Sequence, residues 1–546
     1  MLSAIGIDLG TTKSLIGVWR DGRCRLIPDN AGNQSIPSLV MVTADERILA
    51  GRLAQKHPDR YKSKNITISS VKRLMGRKGE TGWGWWKTYP QEVSAFILTE
   101  LKSQAERYLG EDIKRAVIAI PSHFDEAQRR ATKEAAEIAG LEVTRLLNEA
   151  TAAVLAYGFH RHGEEVTLVF DFGGGTLDIS VVEWGEGTYQ VKSIEGDTRL
   201  GGDDFDQVIL DYILGKVHQQ YGSAIEWDPI QKEILREAAE KAKVELSSTL
   251  ATSIQIPGFL RIGQSFHDLN ILLERSTFEQ LSKSLVDRAI TLLKKALDSA
   301  NIKASNLGAL LLLGGTSRIP FIREAVRKNL GMEPITGVDV ETCVAQGAII
   351  QAAILEGMLR DVLLLDCIPS SYGVGLKDDT FLPLIKKNST VPTAKSQKFT
   401  TTMDNQTTIP ITIYQGENQK ASENSFLGTI ELRDIPPAAV GVPQIQVTFD
   451  VDANMIVRAK AIDLGTGKEQ TIAVKSPYGL NSVQVNVMQQ RLKSWLSERQ
   501  ILEIKSEIGS LIPVIEKILA ERATALSWDE ILTLREHHAS LSKTLT

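Results

Sequence analysis

Two stretches of the chain repeat one pattern of apolar and polar positions. Ala4–Ile7 and Val166–Phe170 are short apolar runs of the kind that form buried strands. Each gives way to an aspartate, glycine and threonine: Asp8–Ser14 reads DLGTTKS and Asp171–Asp178 reads DFGGGTLD. Apolar alternation then resumes over Leu15–Val18 and Leu177–Val182. This predicts two strand–tight turn–strand hairpins rather than strand–loop–helix units. An amphipathic helix is expected from the Asp125 region, a second over Glu226–Thr249 and a third over Glu341–Gly357. In the second, Ala238, Ala239, Ala242, Val244 and Leu246 are expected to face the core. Beyond Cys367 the texture changes. Runs at Gln397–Thr402, Ile409–Tyr414, Gln444–Phe449, Ile456–Ala461 and Gln470–Val474 alternate between Gly, Asn, Asp and Pro, which predicts an antiparallel β domain. From Asn481 on, Leu492, Leu496, Ile501, Ile504, Ile508 and Ile512 make a helical stripe, with breaks expected near Pro513 and Ser527.

The two turns carry candidate chemistry. Glycines let backbone N–H groups crowd an anion, threonine hydroxyls add donors, and an Asp offers a hard oxygen to a phosphate-bound Mg²⁺. Either turn alone reads more readily as a mere chain reversal. Two of one design, heading successive sub-domains, point to a triphosphate held between them. No G-x-x-x-x-G-K-[ST] run occurs, and neither turn fits the dinucleotide fingerprint, so the nucleotide site is of another kind.

Bulk properties narrow the class. A chain of 546 residues implies several domains. Its 42% hydrophobic and 24% charged residues are those of globular proteins. A net charge of −5 without a basic block argues against nucleic-acid binding. Cys24, Cys343 and Cys367 are scattered, which suggests no disulfide framework and fits a reducing cytoplasm. No signal peptide is expected before the first strand, and no apolar run reaches the ~18 residues of a membrane span. His160/His162 and His537/His538 are near pairs without an assigned carboxylate or Cys partner, so no metal site is read there.

Six motifs then stand in one order: IGIDLGTTKS, VKRLMGR (Val71–Arg77), VFDFGGGTLDIS, GDTRLGGDDFD (Gly196–Asp206), EKAKVELSS (Glu240–Ser248) and LGGTSRIP (Leu313–Pro320). In this the chain resembles the seventy-kilodalton heat-shock chaperones of DnaK type, from the first strand to about Leu480. A short helical tail makes it most similar to the compact bacterial members of the HscC kind. The resemblance implies a multidomain fold: an actin-like, two-lobed α/β ATPase domain over 1–360, a linker over 361–366, a β-sandwich substrate-binding domain over 367–480 and a shortened helical lid over 481–546. It implies ATP hydrolysis to ADP with Mg²⁺, and K⁺ as an accessory ion.

Carried over residue by residue, the resemblance makes Lys72, Glu149, Asp171, Thr176 and Asp178 the hydrolytic set. Asp8 and Asp171 orient Mg²⁺ through its waters, while Glu149 and Thr176 place the attacking water. Gly10, Thr11, Thr12, Lys13 and Gly173, Gly174, Gly175, Thr176 cradle phosphates. Glu240, Lys243 and Ser247, at helical spacing, form an adenosine wall, closed by Gly314, Gly315, Thr316 and Arg318. On bare sequence, Lys72 reads more readily as a solvated charge, and the Glu240 face as an exposed one. Lys13 replaces the family's Asn or Tyr. Pro121 and Arg129 match a relay to the second domain, where His123 replaces a tyrosine and Ala150 a proline.

Val362, Leu363, Leu364 and Leu365, between Asp361 and Asp366, read as a buried strand by themselves and as a docking linker by resemblance. Burying such side chains is worth roughly 1.5–3 kcal/mol each, against about 5.5 kcal/mol for a near-complete switch. Tyr372, Val374, Phe399, Thr402, Ile409 and Ile411 fall on peptide-groove positions, with Gln406 beside them to bond a peptide backbone. Lys377 replaces the apolar member of the covering arch, and Pro410 interrupts a strand. A lean towards acidic peptides follows as an expectation. Arg145, Asn148 and Asp366 match positions that receive a J-domain co-chaperone. The expected partners are unfolded or client polypeptides, that co-chaperone and a nucleotide-exchange factor, with a monomeric chain and neither nucleic acid nor membrane. The shortened lid implies fast client exchange. A regulatory adaptor with one or few clients is the alternative. The Gly79–Pro90 stretch, with Trp83, Trp85 and Trp86, stands where relatives carry a longer insertion, and is expected to plug a reduced lobe.

Overall fold

Both Asp–Gly–Thr turns fall between paired strands. The computed structural model describes all residues except 1–4, 58–59, 62–63, 223–226, 263–264, 337, 361, 454, 474–478, 522–529, 531–532 and 539–546. Ile5–Leu9 pairs antiparallel with Lys13–Arg20, and Glu164–Phe172 pairs antiparallel with Leu177–Gly185. The two hairpins sit in sheets of one plan. The first runs Glu142–Asn148, Arg115–Ile120, Ile5–Leu9, Lys13–Arg20, Arg23–Leu26; the second runs Ala309–Leu313, Glu164–Phe172, Leu177–Gly185, Thr188–Asp197, Leu363–Leu365. In each, the strand that enters the turn has a parallel neighbour on its other side. Parallel pairing needs a crossover, and it buries both faces. Ile5, Ile7, Val169 and Phe170 are accordingly inaccessible to solvent.

Helices complete the layers. Glu126–Ile138 starts at Asp125, whose side chain accepts from the Gln128 N–H while the Gln128 side chain returns to the Asp125 N–H. Cys343–Leu355 crosses Glu149–Gly158 so tightly that a Cβ on Gly347 would stand 1.9 Å from the Ala152 carbonyl oxygen. The expected Glu226–Thr249 helix is shorter, Pro229–Leu246, and is started by an Asp228–Gln231 capping box. Ala239, Ala242 and Leu246 are buried in it, but Val244 is 61% exposed. At about 100° per residue, five positions from Ala239 carry Val244 about 140° off the buried face. Thr81–Trp83 and Trp86–Thr88 form a small hairpin in which Trp83 and Trp86 pack with ring centroids 6.0 Å apart. Trp85 donates to the Lys64 carbonyl at 2.7 Å.

The apolar linker run is a strand. Leu363–Leu365 pairs parallel with Thr188–Gln190 at the free edge of the second sheet. Val362 and Leu364 pack partly buried on the core, while Leu363 is half exposed. Asp361 lies outside the described residues.

Past the linker, two four-stranded sheets enclose a core of Val374, Ile413, Ile430, Val447, Phe449 and their neighbours. One runs Phe381–Ile385, Tyr372–Gly375, Ile409–Gln415, Ser425–Leu432, and the other Thr393–Phe399, Ile445–Val451, Val457–Asp463, Glu469–Ala473. The expected Gln397–Thr402 strand is displaced towards the N-terminus. Its register ends at Phe399↔Ile445, and Thr400 turns away to donate to the Pro443 carbonyl at 2.7 Å. Pro410 fits within a strand because the Tyr372–Gly375 neighbour reaches only to Ile413, leaving the chain at Pro410 without a ladder on that side.

The chain falls into two compact units, Met1–Leu480 and Asn481–Thr546. In the second, one helix runs Ser482–Glu521 straight through Pro513, so the expected break there does not occur. A single proline forfeits one intrahelical bond, which the flanking turns tolerate as a kink. His538 has a carboxylate partner that its neighbours in sequence did not reveal: Glu516, 3.1 Å away. Ser527, the end Ser542–Thr546 and the side chains of Ile501, Ile504 and Ile508 lie outside the described residues. No described helix is long and apolar enough to cross a membrane.

Candidate functional site: a carboxylate-lined cleft

The two hairpin turns face each other, and their aspartates meet a third pair of charges. Asp8 is the last residue but one of the first strand, Asp171 holds the same place in its counterpart in the second sheet, and Asp178 pairs with Asp171 across the second hairpin. Glu149 opens the Glu149–Gly158 helix and Lys72 lies in a single 3₁₀ turn, Val71–Leu74. Lys72, Glu149, Asp171 and Asp178 are buried, Asp8 is half-buried, and Lys72 bonds and ion-pairs with Glu149. Four carboxylates against one ammonium leave an excess of negative charge in a dry place. Burial, then the Glu149 charge, push Asp8 up to about 7, with Lys72 opposing. Burial and Glu149 push Asp178 likewise to about 7. Asp171 is held well above the carboxylate range by burial and by Glu149, Asp178 and Asp8. Burial pulls the Lys72 ammonium down, but Glu149 and Asp8 outweigh it and hold it above its ordinary value.

Such a site is short of positive charge. Among the described residues no group of three or more His, Cys, Asp or Glu can hold a metal ion directly. The site's carboxylates are hard oxygen donors of the kind that a hydrated Mg²⁺ would take.

The turns supply the anion side. Gly173 N–H donates to the Thr176 carbonyl at 3.0 Å, closing the second turn, and Thr316 donates to the Gly173 carbonyl at 2.9 Å. Gly201 packs on this turn so closely that a Cβ would stand 2.5 Å from the Gly175 carbonyl carbon. Thr11, Thr12 and Glu240 line a cavity of about 550 Å³ between the two halves, together with Ser38, Asp206 and Arg236. Lys243 does not face it: its Nζ lies 2.8 Å from Asp206 and donates to the Gly202 carbonyl at 3.2 Å. Ser247 bonds back to the Lys243 carbonyl at 3.3 Å. Gly314 and Gly315 follow the Ala309–Leu313 strand, and Arg318 pairs with Glu341 at 2.8 Å. Gly10 lies in the first turn, and Lys13 opens the second strand with its side chain exposed.

Cross-cleft contacts that no motif announced are also present. Arg60 lies 2.6 Å from Glu237, Tyr61 bonds Glu237, and Arg73 reaches Asp204 at 3.1 Å. These residues carry no spacing signal, because their partners are more than a hundred positions away.

From the carboxylates a hydrogen-bond chain leads to the linker. The His123 N–H donates to Asp178 at 3.0 Å, just past Pro121. Arg129 donates to the Ser122 and Phe124 carbonyls and, at 2.9 Å, to the Asn148 side chain. Asn148, next to Glu149, donates to both Asp366 oxygens at 2.8 and 2.9 Å. Arg145 is two-thirds or more enclosed beside Asp366, whose charge partly offsets the burial that pulls the guanidinium down.

A family model described as Hsp70 protein matches residues 4–83 and 80–546. The chain belongs to the Hsp70 family. This Hsp70 is thus an ATP-binding chaperone of a family of ATPases, and the paired turns, the acidic cluster and the linker strand fall in that frame. The residues expected at its peptide groove gather at one end of the sandwich only in part. Phe399 and Ile409 are half-buried where their strands flank the 400–408 loop, and Val374 and Ile411 are buried in the core. Thr402 is exposed; Gln406 accepts from its N–H at 2.9 Å and donates to the Thr408 carbonyl at 2.9 Å, so its amide braces its own loop. Tyr372 is buried and its hydroxyl accepts from Gln415, which in turn accepts from the Glu126 N–H at 3.1 Å. Lys377 is exposed, in a turn pinned where Asp379 accepts from the Ser422 N–H and hydroxyl at 2.9 and 2.6 Å.

Proposed function

We propose that this Hsp70 couples ATP hydrolysis at the Asp8–Lys72–Glu149–Asp171–Asp178 cluster to release and capture of extended apolar polypeptide segments by its sandwich. The observation that carries the reading is the path from Asp178 to the His123 N–H, along the backbone to the Ser122 and Phe124 carbonyls that Arg129 holds, and on through Asn148, next to Glu149, to Asp366. Phosphoryl transfer to water asks the protein mainly for positioning and charge neutralisation. Lys72 and Mg²⁺ neutralise the γ-phosphate, Glu149 and Thr176 orient the water, and Asp178 takes its proton. Gly10–Lys13 and Gly173–Thr176 hold the phosphates; Glu240, Gly314–Thr316 and Arg318 enclose the adenosine. The linker strand Leu363–Leu365 docks in one nucleotide state and leaves its edge in the other, with Pro121, Arg129 and Asn148 reporting the state. A J-domain co-chaperone meets Arg145 near Asp366, and a nucleotide-exchange factor reopens the cleft.

Steady-state ATP hydrolysis with and without a saturating apolar peptide tests the coupling. Stimulation of several-fold supports it. Hydrolysis that ignores the peptide transfers support to a nucleotide-gated adaptor for one or few native clients. That second reading is favoured by Lys377 and the pinned arch turn, which leave the groove without an apolar cover from that side.

A further inference from the structure

Glu134, on the Glu126–Ile138 helix, is a buried carboxylate, 7% exposed, that belongs neither to the hydrolytic cluster nor to the relay. Its Oε1 accepts from Arg130 Nε, one helical turn earlier, at 2.8 Å, and from the backbone N–H of Leu480 at 3.1 Å. Its Oε2 accepts from Gln91 Nε2 at 3.1 Å. Arg130 Nη2 donates to the Leu480 carbonyl at 3.5 Å. The guanidinium also fills the space over Gly479, where a Cβ would stand 2.0 Å from Cζ. Two side chains of one helix therefore take both polar backbone groups of a residue 346 positions away.

The place of that residue gives the contact its meaning. Leu480 follows the last strand of the sandwich, Glu469–Ala473, and precedes the helix that begins at Ser482. A surface Arg–Glu pair one turn apart needs neither burial nor a third partner. Here the carboxylate is dry, fixed by Gln91, and accepts a charge-assisted bond from a backbone N–H. It cannot lose Leu480 without readmitting water to a buried charge, so the contact behaves as closed or open with little between.

We propose that Glu134 is a positioning residue: with Arg130 it clamps the Leu480 backbone to the ATPase domain, and movement of the sandwich away from the Glu126–Ile138 helix opens the clamp. Its nucleotide dependence rests on the coupling proposed above; the clamp itself rests on the geometry alone.

Amide hydrogen exchange of the full chain, read at Leu480 with ATP and with ADP, tests it. In the wild type the Leu480 amide is expected to exchange at least tenfold more slowly with ATP. Glu134→Ala brings the ATP rate to that seen with ADP, with basal hydrolysis unchanged. Glu134→Gln, which keeps an acceptor oxygen, restores most of the protection. Gly479→Ala leaves the carboxylate intact and displaces only the mobile guanidinium, so it raises the ATP rate a few-fold and serves if Glu134→Ala fails to fold. Equal exchange with ATP in wild type, Glu134→Ala and Gly479→Ala overturns the clamp. Equal exchange of the wild type in ATP and ADP overturns its nucleotide dependence. Loss of peptide-stimulated hydrolysis bears on the chaperone reading and leaves the comparison of variants in ATP intact.

Discussion

Lys72 shows what one side chain can be asked to supply. It is an ammonium held charged among four carboxylates, three of them buried, and it is bonded to Glu149. Replacing it with alanine removes one preorganised donor, and a loss of about 10²–10³ in single-turnover hydrolysis is expected. Nucleotide affinity, measured separately, should change far less. Glu126 gives a pH dependence. Burial pushes its carboxyl up to about 7, against the charges of Arg129 and Lys133. The native state then binds this proton more tightly than the unfolded chain does. The contribution is full below the ordinary glutamate value of 4.5 and is lost as pH rises towards 7. Glu126→Gln mimics the protonated form, so its thermal midpoint should gain on the wild type between pH 5 and pH 8. A constant gap over that range would contradict the assignment. Residues such as Arg60, Tyr61 and Glu134 were silent in the sequence, because a charge on a helix face announces no partner until the fold delivers one. The Asp8 and Asp171 turns were legible because their glycines and threonines have few other uses in that order.

Among elements, the crossing of Glu149–Gly158 by Cys343–Leu355 is the least tolerant. Gly347 allows the two helix backbones to touch, and the atom a side chain would meet is a backbone carbonyl that cannot swing aside. Gly347→Ala should destabilise the first unit by about 1–3 kcal/mol or more, seen as a lowered urea midpoint with the slope unchanged. The same crossing positions Glu149, so slower hydrolysis in the folded variant is also expected. Element type was readable from periodicity, whereas ends depended on partners. The Thr393–Phe399 strand stops where Ile445–Val451 stops pairing with it, and Ser482–Glu521 runs on through Pro513 because its flanking turns retain their bonds.

For the molecule as a whole, the packing of the sandwich on the first half of the chain uses charge as well as the Leu363–Leu365 strand. Glu195, 2% exposed on the Thr188–Asp197 strand, lies 2.8 Å from Lys387 and 3.2 Å from Lys295. The Asn388 side chain accepts from the Ile194 N–H at 3.1 Å. Lys387 comes from the sandwich and Lys295 from the Arg275–Ala300 helix, so undocking leaves Glu195 with one lysine, not none. Removing one partner of a buried pair costs about 3–5 kcal/mol when nothing replaces it, and less here because Lys295 remains. Lys387→Ala should shift the ATP-bound protein towards a more extended form, read as a larger radius of gyration by small-angle X-ray scattering. A radius equal to that of the wild type at low and high salt would count against this contact as a docking determinant.

The sequence by itself determined the local alphabet: two hairpin turns of glycine and threonine, an aspartate at each, a short apolar run before the second half and a β-rich second half. Those follow from short-range sterics and from period, which any window of the chain carries. Only the tertiary structure decided where Leu363–Leu365 pairs, since its ladder is supplied by Thr188–Gln190. It also decided that Tyr372 turns inward to Gln415, and that Glu134 meets Leu480. Such contacts join positions hundreds of residues apart, and their energy depends on burial, which no local pattern encodes.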